Sequence, residues 1–248
     1  MIRAAVSSLA LILAATTAYA ASPAIDAAVA DTTRPAADRD RDAERKPADM
    51  LAFAGVKPGM VVMDILPGGG YFTRLFSDVV GPNGQVISYV PDEMYAGRPK
   101  SLDGVTAIAA EPAHKNVKPA HDPALASGPA NVLDVVWTSQ NYHDLHNIQG
   151  LDLVAFNKAI YASVRPGGVY VVLDHSAPAG SGVADTNTLH RIDEAVVRKE
   201  VEAAGFVFDG ESKVLANPAD PRTVKVFDPS IRGHTDQFVL RFRKPGGK

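Results

Sequence analysis

The residues best suited to chemistry form one polar run, Gln140–Asn147 (QNYHDLHN), directly after an apolar stretch of strand character. The His143 imidazole titrates near neutral pH, and the Asp144 carboxylate accepts protons, so either group can act as a general base. Tyr142 and Asn141 carry donors and acceptors that can orient a substrate. The run therefore predicts a catalytic group of Tyr142, His143 and Asp144. The alternative is a polar loop whose side chains cap the next helix.

A second run with chemical potential is Asp64–Gly70 (DILPGGG), which follows the apolar, β-branched stretch Val61–Met63. Its three glycines lack a Cβ, so the backbone can turn sharply and a ligand can approach it closely. Apolar residues then recur at helical spacing over Leu75–Val80, and Gly81-Pro82 ends that pattern. A strand, a glycine turn and a helix in this order predict a ligand-binding crevice at the carboxyl end of a parallel strand.

The elements that must position these residues alternate between strand and helix. Short apolar runs predict strands at Val61–Met63, Gln85–Val90, Leu133–Thr138, Val169–Leu173, Phe206–Phe208 and Gln237–Arg243, with a further short one at Asn116–Val117. Helical patterns cover Leu75–Val80, Leu151–Val164 and Asp193–Ala204. This alternation predicts a single α/β domain with a mostly parallel sheet. No helix follows the last run, so we expect it to be an antiparallel strand inserted beside its predecessor.

The amino-terminal residues have the composition of an export signal. Arg3 precedes a mostly apolar run, and Ala18-Tyr19-Ala20 is an A-x-A cleavage site, so residues 1–20 are predicted to be a signal peptide. The Ala-, Thr- and Pro-rich residues 21–37 predict a flexible leader, and the domain is expected over residues 38–245. The charged stretch Asp38–Phe53 should contain one or two helices. It is either a solvated helix face or a lid that brings Arg39, Arg41 or Arg45 to a ligand carboxylate.

Composition narrows the class of protein. The chain has 248 residues, no cysteine and a net charge of −3, or −4 without Arg3. A disulfide framework is therefore excluded, and nothing in the charge favours nucleic acid or an anionic membrane as a partner. No stretch is long and apolar enough to predict stable membrane insertion. These features indicate a globular protein that is exported to the periplasm or beyond.

Four segments, in this order, resemble the class I S-adenosylmethionine-dependent methyltransferases, and more narrowly a bacterial family of predicted methyltransferases, some with signal peptides. The segments are Gly55–Leu75, Asp134–Asn147, Ser163–Ser176 and His190–Phe206. The resemblance implies a Rossmann-like, doubly wound, mostly parallel seven-stranded sheet whose last strand is antiparallel. It also implies S-adenosyl-L-methionine as the cofactor and a small molecule as the methyl acceptor.

The resemblance also implies which residues hold the cofactor. Asp64 and the turn Pro67–Gly70 would lie under its methionine end, and Asp122 would contact the adenine amine. Two positions depart from the family pattern, because Leu66 replaces the first glycine of the turn and Val90 replaces the acid that binds the ribose. Asp92 or Glu93 would then serve the ribose if the strand ends later, and Asp92 is the predicted residue. The predicted cofactor-binding residues are Asp64, Pro67, Gly68, Gly69, Gly70, Asp92, Asp122 and Asn141.

Two other functions stay open at this stage. The departures at Leu66 and Val90 favour a non-catalytic binding module on the same fold. A metal-dependent enzyme could use His143, His146 and His175, with Asp174, because imidazole and carboxylate suit zinc or iron. However, His143-x-x-His146 is not a zincin motif and no spacing is diagnostic, so no metal is predicted. The sequence also contains no G-x-S-x-G elbow and no Walker lysine, which argues against a hydrolase and a P-loop enzyme.

Overall fold

The computed structural model describes residues 20–121 and 130–246. Asp122, predicted to contact adenine, and all of the predicted signal peptide except Ala20 lie outside the described residues. Within the described chain, no helix is both long and apolar enough to cross a membrane.

Seven strands form one sheet in the order β3-β2-β1-β4-β5-β7-β6. Their bounds are β1 Val61–Ile65, β2 Gln85–Tyr89, β3 Val117–Ala120, β4 Leu133–Ser139, β5 Val164–His175, β6 Val207–Ser212 and β7 Gln237–Arg243. Neighbouring strands from β3 to β5 pair in parallel, whereas β7 runs antiparallel to both β5 and β6. The predicted insertion of an antiparallel last strand is confirmed. The order reverses between β1 and β4, and such a switch point opens a crevice at the carboxyl ends of the strands.

Helices cover both faces of the sheet. They are α1 Pro23–Ala30, α2 Ala36–Arg39, α3 Asp42–Arg45, α4 Pro47–Ala54, α5 Tyr71–Val80, α6 Asp92–Gly97, α7 Asp103–Ala110, α8 Tyr142–Leu145, α9 Leu153–Ser163 and α10 Glu194–Ala203. One core cluster joins α1, α4 and α5 to one face of the sheet, and another joins α9 and α10 to the opposite face. The result is a three-layer α/β/α domain, as the alternating pattern predicts.

The prediction of a flexible leader over residues 21–37 is wrong. Ser22 caps α1 by accepting a hydrogen bond from the backbone N–H of Ile25, and the Ile25 side chain is buried in the core. Arg34 is also buried, and its guanidinium forms a two-point salt bridge with Asp42, which in turn accepts a hydrogen bond from the Tyr71 hydroxyl. The composition suggested a flexible segment because most of its residues are small or polar, and only a few side chains, such as Ile25, pack into the core. The folded domain therefore begins before residue 38.

Candidate functional site

A cavity of about 550 Å³ opens at the carboxyl ends of β1, β4 and β5, a volume typical of a small-molecule site. The loops after these three strands form its walls, and the amino-terminal helices and the segment before β7 cover it. It is lined by Asp38, Arg41, Arg45, Asp64, Leu66, Pro67, Gly68, Gly69, Tyr71, Phe72, Arg98, Ser139, Gln140, Asn141, His143, Asp144, Asn147, His175, Asn187, His190, Val226 and Phe227.

The glycine turn after β1 forms one wall of this cavity. Pro67, Gly68 and Gly69 line it, and a Cβ built on Gly69 would meet no atom within 4 Å, so this backbone is open to a ligand. Gly70 is needed for a different reason, because its φ is +88° and a Cβ there would collide with Ile108 of α7. The predicted turn is therefore present, but Gly70 serves packing, since it is absent from the lining of the cavity.

Leu66 does not plug the cavity. Its φ is +53°, so a leucine adopts the left-handed conformation that usually favours glycine. Its side chain is only 6 % exposed and packs in the core cluster with Tyr89 and Val90. The burial of this side chain offsets the cost of the backbone conformation, which is about 1–3 kcal/mol.

Asp64 lies on β1 beneath the turn and is buried. Its Oδ2 accepts a hydrogen bond of 2.6 Å from the Thr73 hydroxyl, which also lies 3.1 Å from the Ser88 hydroxyl. Burial raises the pKa of Asp64 to about 7, although the Thr73 hydrogen bond and the charge of Arg45 oppose the rise. This carboxyl therefore titrates near neutral pH, in contrast to an exposed aspartate.

The raised pKa predicts a pH-dependent cost that Asp64→Asn should remove. Between about pH 4 and pH 7 the unfolded chain has released this proton and the folded chain has not, so raising the pH lowers the stability of the folded state. One pKa unit corresponds to about 1.4 kcal/mol, so the variant should gain up to roughly 4 kcal/mol relative to the native chain across this window. Urea unfolding of both proteins at four pH values measures the difference. Parallel stability curves would contradict the prediction.

The loop after β4 brings Asn141, His143 and Asp144 to the cavity wall. Asn141 also fixes the glycine turn, because its Nδ2 donates to the carbonyl oxygens of Leu66 and Ser139 at 2.8 and 2.6 Å. The prediction for Tyr142 is wrong. Its side chain is buried on the other side of α8, where its hydroxyl donates to Glu200 and accepts from Asn157. Tyr142 therefore holds α8 against α9 and α10.

His143 is positioned by Asp174, at the end of β5. The Asp174 carboxylate lies 2.8 Å from Nδ1 of His143 and also accepts hydrogen bonds from the backbone N–H groups of His143 and His175. Burial lowers the pKa of His143, but the Asp174 carboxylate outweighs burial and raises it above its ordinary value. Asp174 thus holds one nitrogen, and the Nε2 atom points toward His190, whose Nδ1 lies 3.2 Å away.

The histidine cluster considered from the sequence is not formed as proposed. His146 Nε2 lies 3.2 Å from Glu200, and His146 is absent from the residues lining the cavity. His175 lines the cavity, but its Nδ1 contacts the Thr235 hydroxyl at 2.8 Å, and burial lowers its pKa to about 4. His190 precedes α10 and faces His143.

Arg45 lies at the end of α3 and lines the cavity near the turn. Its guanidinium carbon lies 4.7 Å from the centre of the Tyr71 ring, and its Nη2 donates to the side chain of Gln140. Its Nε is buried without a hydrogen-bond partner, and within the described chain Arg45 forms no salt bridge. Burial lowers its pKa to about 10, so the side chain keeps its charge at neutral pH. A half-buried cation without a carboxylate partner suits an anionic ligand.

The positions expected to hold the ribose bring no carboxylate to the cavity. Val90 is buried in the core at the end of β2, and Asp92, the predicted substitute, is not among the lining residues. The Asp92 carboxylate lies 3.0 Å from Nδ1 of His121, which stacks on Tyr95. Trp137, another residue that could have stacked on a ligand, is fully buried against Phe72.

Sequence reasoning missed part of the cavity wall. Asn187, Val226 and Phe227 reach it from two long loops without regular periodicity, and Arg98 reaches it from the end of α6. Phe227 is the one residue whose sequence context could have suggested a role, because an aromatic residue is unexpected in a loop rich in proline and aspartate. In the structure its ring is exposed to solvent.

The chain is similar in sequence to known C-methyltransferases. The chain is 26% identical over 194 residues to the ubiquinone/menaquinone biosynthesis C-methyltransferase UbiE of Saccharophagus degradans, covering 77% of this chain and 67% of the relative. It is 29% identical to the same protein of Ectopseudomonas mendocina, over 77% of this chain and 65% of that relative. The chain thus spans about two thirds of the length of these relatives. No family model matches the chain.

Solved structures are similar in fold. A SAM-dependent methyltransferase from Aquifex aeolicus superposes with a TM-score of 0.56 at 18% identity, covering 81% of this chain and 89% of that one. The (4+2)-cyclase SpnF superposes with a TM-score of 0.59, also at 18% identity, covering 88% and 86%. The strand order, the antiparallel β7 and these superpositions together establish that the chain has the class I methyltransferase fold.

Proposed function

We propose that the chain is an S-adenosyl-L-methionine-dependent methyltransferase that acts on a small acceptor. The observation that carries the proposal is the polar cavity of about 550 Å³ at the switch point of the sheet, with an open glycine turn on one side and the Asp174–His143 pair on another. The UbiE relatives are named as C-methyltransferases, and they match over 77% of this chain.

The amino-acid end of the cofactor fits the residues present. Gly68 and Gly69 leave space for its chain, and the positive charge of Arg45 suits its carboxylate. The ribose end fits less well, because Val90 offers no carboxylate there. The cofactor would supply the methyl group, and the protein's contribution would be to align the acceptor with it, since positioning accounts for much of the rate of such a transfer.

The acceptor would lie toward His143. The Nδ1 atom of this imidazole faces Asp174 and its Nε2 faces the cavity, so Nε2 can accept a proton from a hydroxyl group or an acidic carbon. Asn141 and Gln140 offer amide groups on the same wall. This arrangement supports methylation of an acceptor that must lose a proton.

Calorimetric titration with S-adenosylmethionine and S-adenosylhomocysteine tests the proposal. We expect one site for each ligand and weaker binding of 5′-methylthioadenosine, which lacks the amino-acid end that Arg45 would hold. Arg45→Met should reduce that difference, whereas Arg39→Met, at an exposed arginine absent from the cavity lining, should leave it unchanged. Absence of heat with all three ligands at millimolar concentration would overturn the proposal.

A second candidate is a binding module on the same fold. The buried Val90 favours it, because the carboxylate expected to hold the ribose is lost. The neighbour SpnF is named as a cyclase, which illustrates that this fold alone does not determine methyl transfer. Incubation with S-adenosylmethionine and a panel of phenols, quinols and amines separates the candidates. Formation of S-adenosylhomocysteine supports the enzyme, and binding without any turnover supports the module.

We also propose that residues 1–20 direct export and are then removed. The support is the sequence alone, namely Arg3, the apolar run and the Ala18-Tyr19-Ala20 site. Intact mass of protein recovered from the periplasmic fraction tests this, since cleavage would leave a chain that begins at Ala21. A full-length mass confined to the cytoplasm would contradict it.

A further inference from the structure

Three potential metal ligands meet at the edge of the cavity. Nε2 of His143 lies 3.2 Å from Nδ1 of His190, and Oδ1 of Asp144 lies 3.5 Å from the first nitrogen and 3.6 Å from the second. All three residues line the cavity. They come from two segments that are distant in the sequence, so no spacing motif in the sequence predicts this group.

These separations match those of atoms that share one metal ion. Zinc lies about 2.0–2.1 Å from imidazole nitrogen and 2.0–2.2 Å from carboxylate oxygen, and tetrahedral geometry then places any two ligand atoms about 3.3–3.5 Å apart. The triangle formed by His143, Asp144 and His190 therefore needs little movement to close around an ion. Its two imidazoles favour zinc, iron or cobalt over magnesium and calcium, which prefer oxygen ligands alone.

The surroundings of His143 are also those of a metal ligand. An imidazole that binds a metal through one nitrogen almost always presents the other to a carboxylate, which fixes its tautomer and orientation. Asp174 does this for His143 at 2.8 Å, and it is itself held by two backbone N–H groups. Phe227 packs beside His190, with ring centres 5.0 Å apart.

We propose that His143, Asp144 and His190 bind one divalent transition-metal ion of the zinc type, with its remaining coordination position open to the cavity. A ligand bearing a hydroxyl or carboxylate oxygen could occupy that position. None of the three residues belongs to the glycine turn that would hold the cofactor, but Nε2 of His143 is also the base of the proposed function, so the ion and the acceptor's proton would compete for this atom.

Calorimetric titration of the EDTA-treated, dialysed full chain with Zn²⁺ tests the proposal, and visible absorption with Co²⁺ reports the geometry. We expect one equivalent to bind and the Co²⁺ bands to be those of a four-coordinate site. Asp144→Asn and His190→Gln should each weaken binding at least about 10-fold, and Asp174→Asn by about 10–100-fold. The control is His234→Gln, which changes an exposed histidine absent from the cavity lining and should leave Zn²⁺ affinity unchanged.

Two results would overturn the site. One is absence of Zn²⁺ binding to the native chain, and the other is equal affinity in the native chain, Asp144→Asn and His190→Gln. Circular dichroism of each variant confirms that it is folded, and the side chains of Asp144 and His190 are both partly exposed, so neither substitution should disturb the core. S-adenosylhomocysteine is titrated into the same preparations. Binding of Zn²⁺ without binding of S-adenosylhomocysteine would contradict the proposed function and leave the metal site standing. Binding of S-adenosylhomocysteine without binding of Zn²⁺ would contradict the metal site alone.

Discussion

Replacing Arg191 with methionine should lower the free energy of unfolding by about 3–5 kcal/mol, because the change leaves a buried charge without its partner. The Arg191 and Asp220 side chains are both fully buried, and their closest contact is 2.8 Å. Arg191 also donates to the carbonyl oxygens of Ser176 and Val224. This side chain therefore ties the end of β5 to the long loop that carries Val226 and Phe227 to the cavity.

Urea unfolding measures this loss, and a second ion pair offers the matched control. Arg198 and Glu202 are both exposed, with 3.6 Å between them on α10, so Arg198→Met should cost less than about 1 kcal/mol. Adding Asp220→Leu to Arg191→Met should restore part of the stability, because the unpaired carboxylate is then gone. Similar small losses for Arg191→Met and Arg198→Met would contradict our account of the buried pair.

Replacing Gly69 with valine should weaken S-adenosylhomocysteine binding by about 10- to 100-fold, the equivalent of 1–3 kcal/mol of overpacking. Gly69 has no left-handed φ, and a Cβ there meets nothing within 4 Å, so a side chain at this position projects into the space available to the ligand. The effect should therefore appear in affinity and leave stability nearly unchanged.

Gly97→Val is the control for this variant. Gly97 also has open space around it, but it is exposed at the end of α6 and absent from the cavity lining. Calorimetry compares the two variants, and thermal unfolding checks that both are folded. Native affinity in Gly69→Val would mean that the ligand does not approach the glycine turn.

Strands that combine β-branched residues with flanking glycine and proline were predictable from the sequence. β7 was predicted with its observed bounds, Gln237–Arg243, and with its antiparallel direction. Helices with few apolar anchors were not. α7 buries only Val105 and Ile108, and α1 only Ile25 and Ala28, so neither produces a clear helical periodicity in an alanine-rich segment. Burial of these helices depends on partners elsewhere in the chain.

The candidate site was predictable in its location and only partly in its members. Tyr142 packs against Glu200 and Asn157 on the side of α8 away from the cavity, and the polar run gave no basis for separating it from His143. The pairing of His143 with Asp174 and His190 depends on which loops meet at the sheet edge. Val226 and Phe227 arrive through an irregular loop whose path is set by the buried Arg191–Asp220 pair.

The position of β7 in the sheet determines when the chain can complete its folding during synthesis. β7 fills the gap between β5 and β6, and its Phe238, Leu240 and Phe242 complete one core layer while Val239 completes the other. Until residue 243 has emerged from the ribosome, one edge of β5 is unpaired and both core layers lack the side chains that β7 contributes. Such non-local pairing delays folding, so most of the nascent chain remains open to chaperones until this strand has emerged from the ribosome.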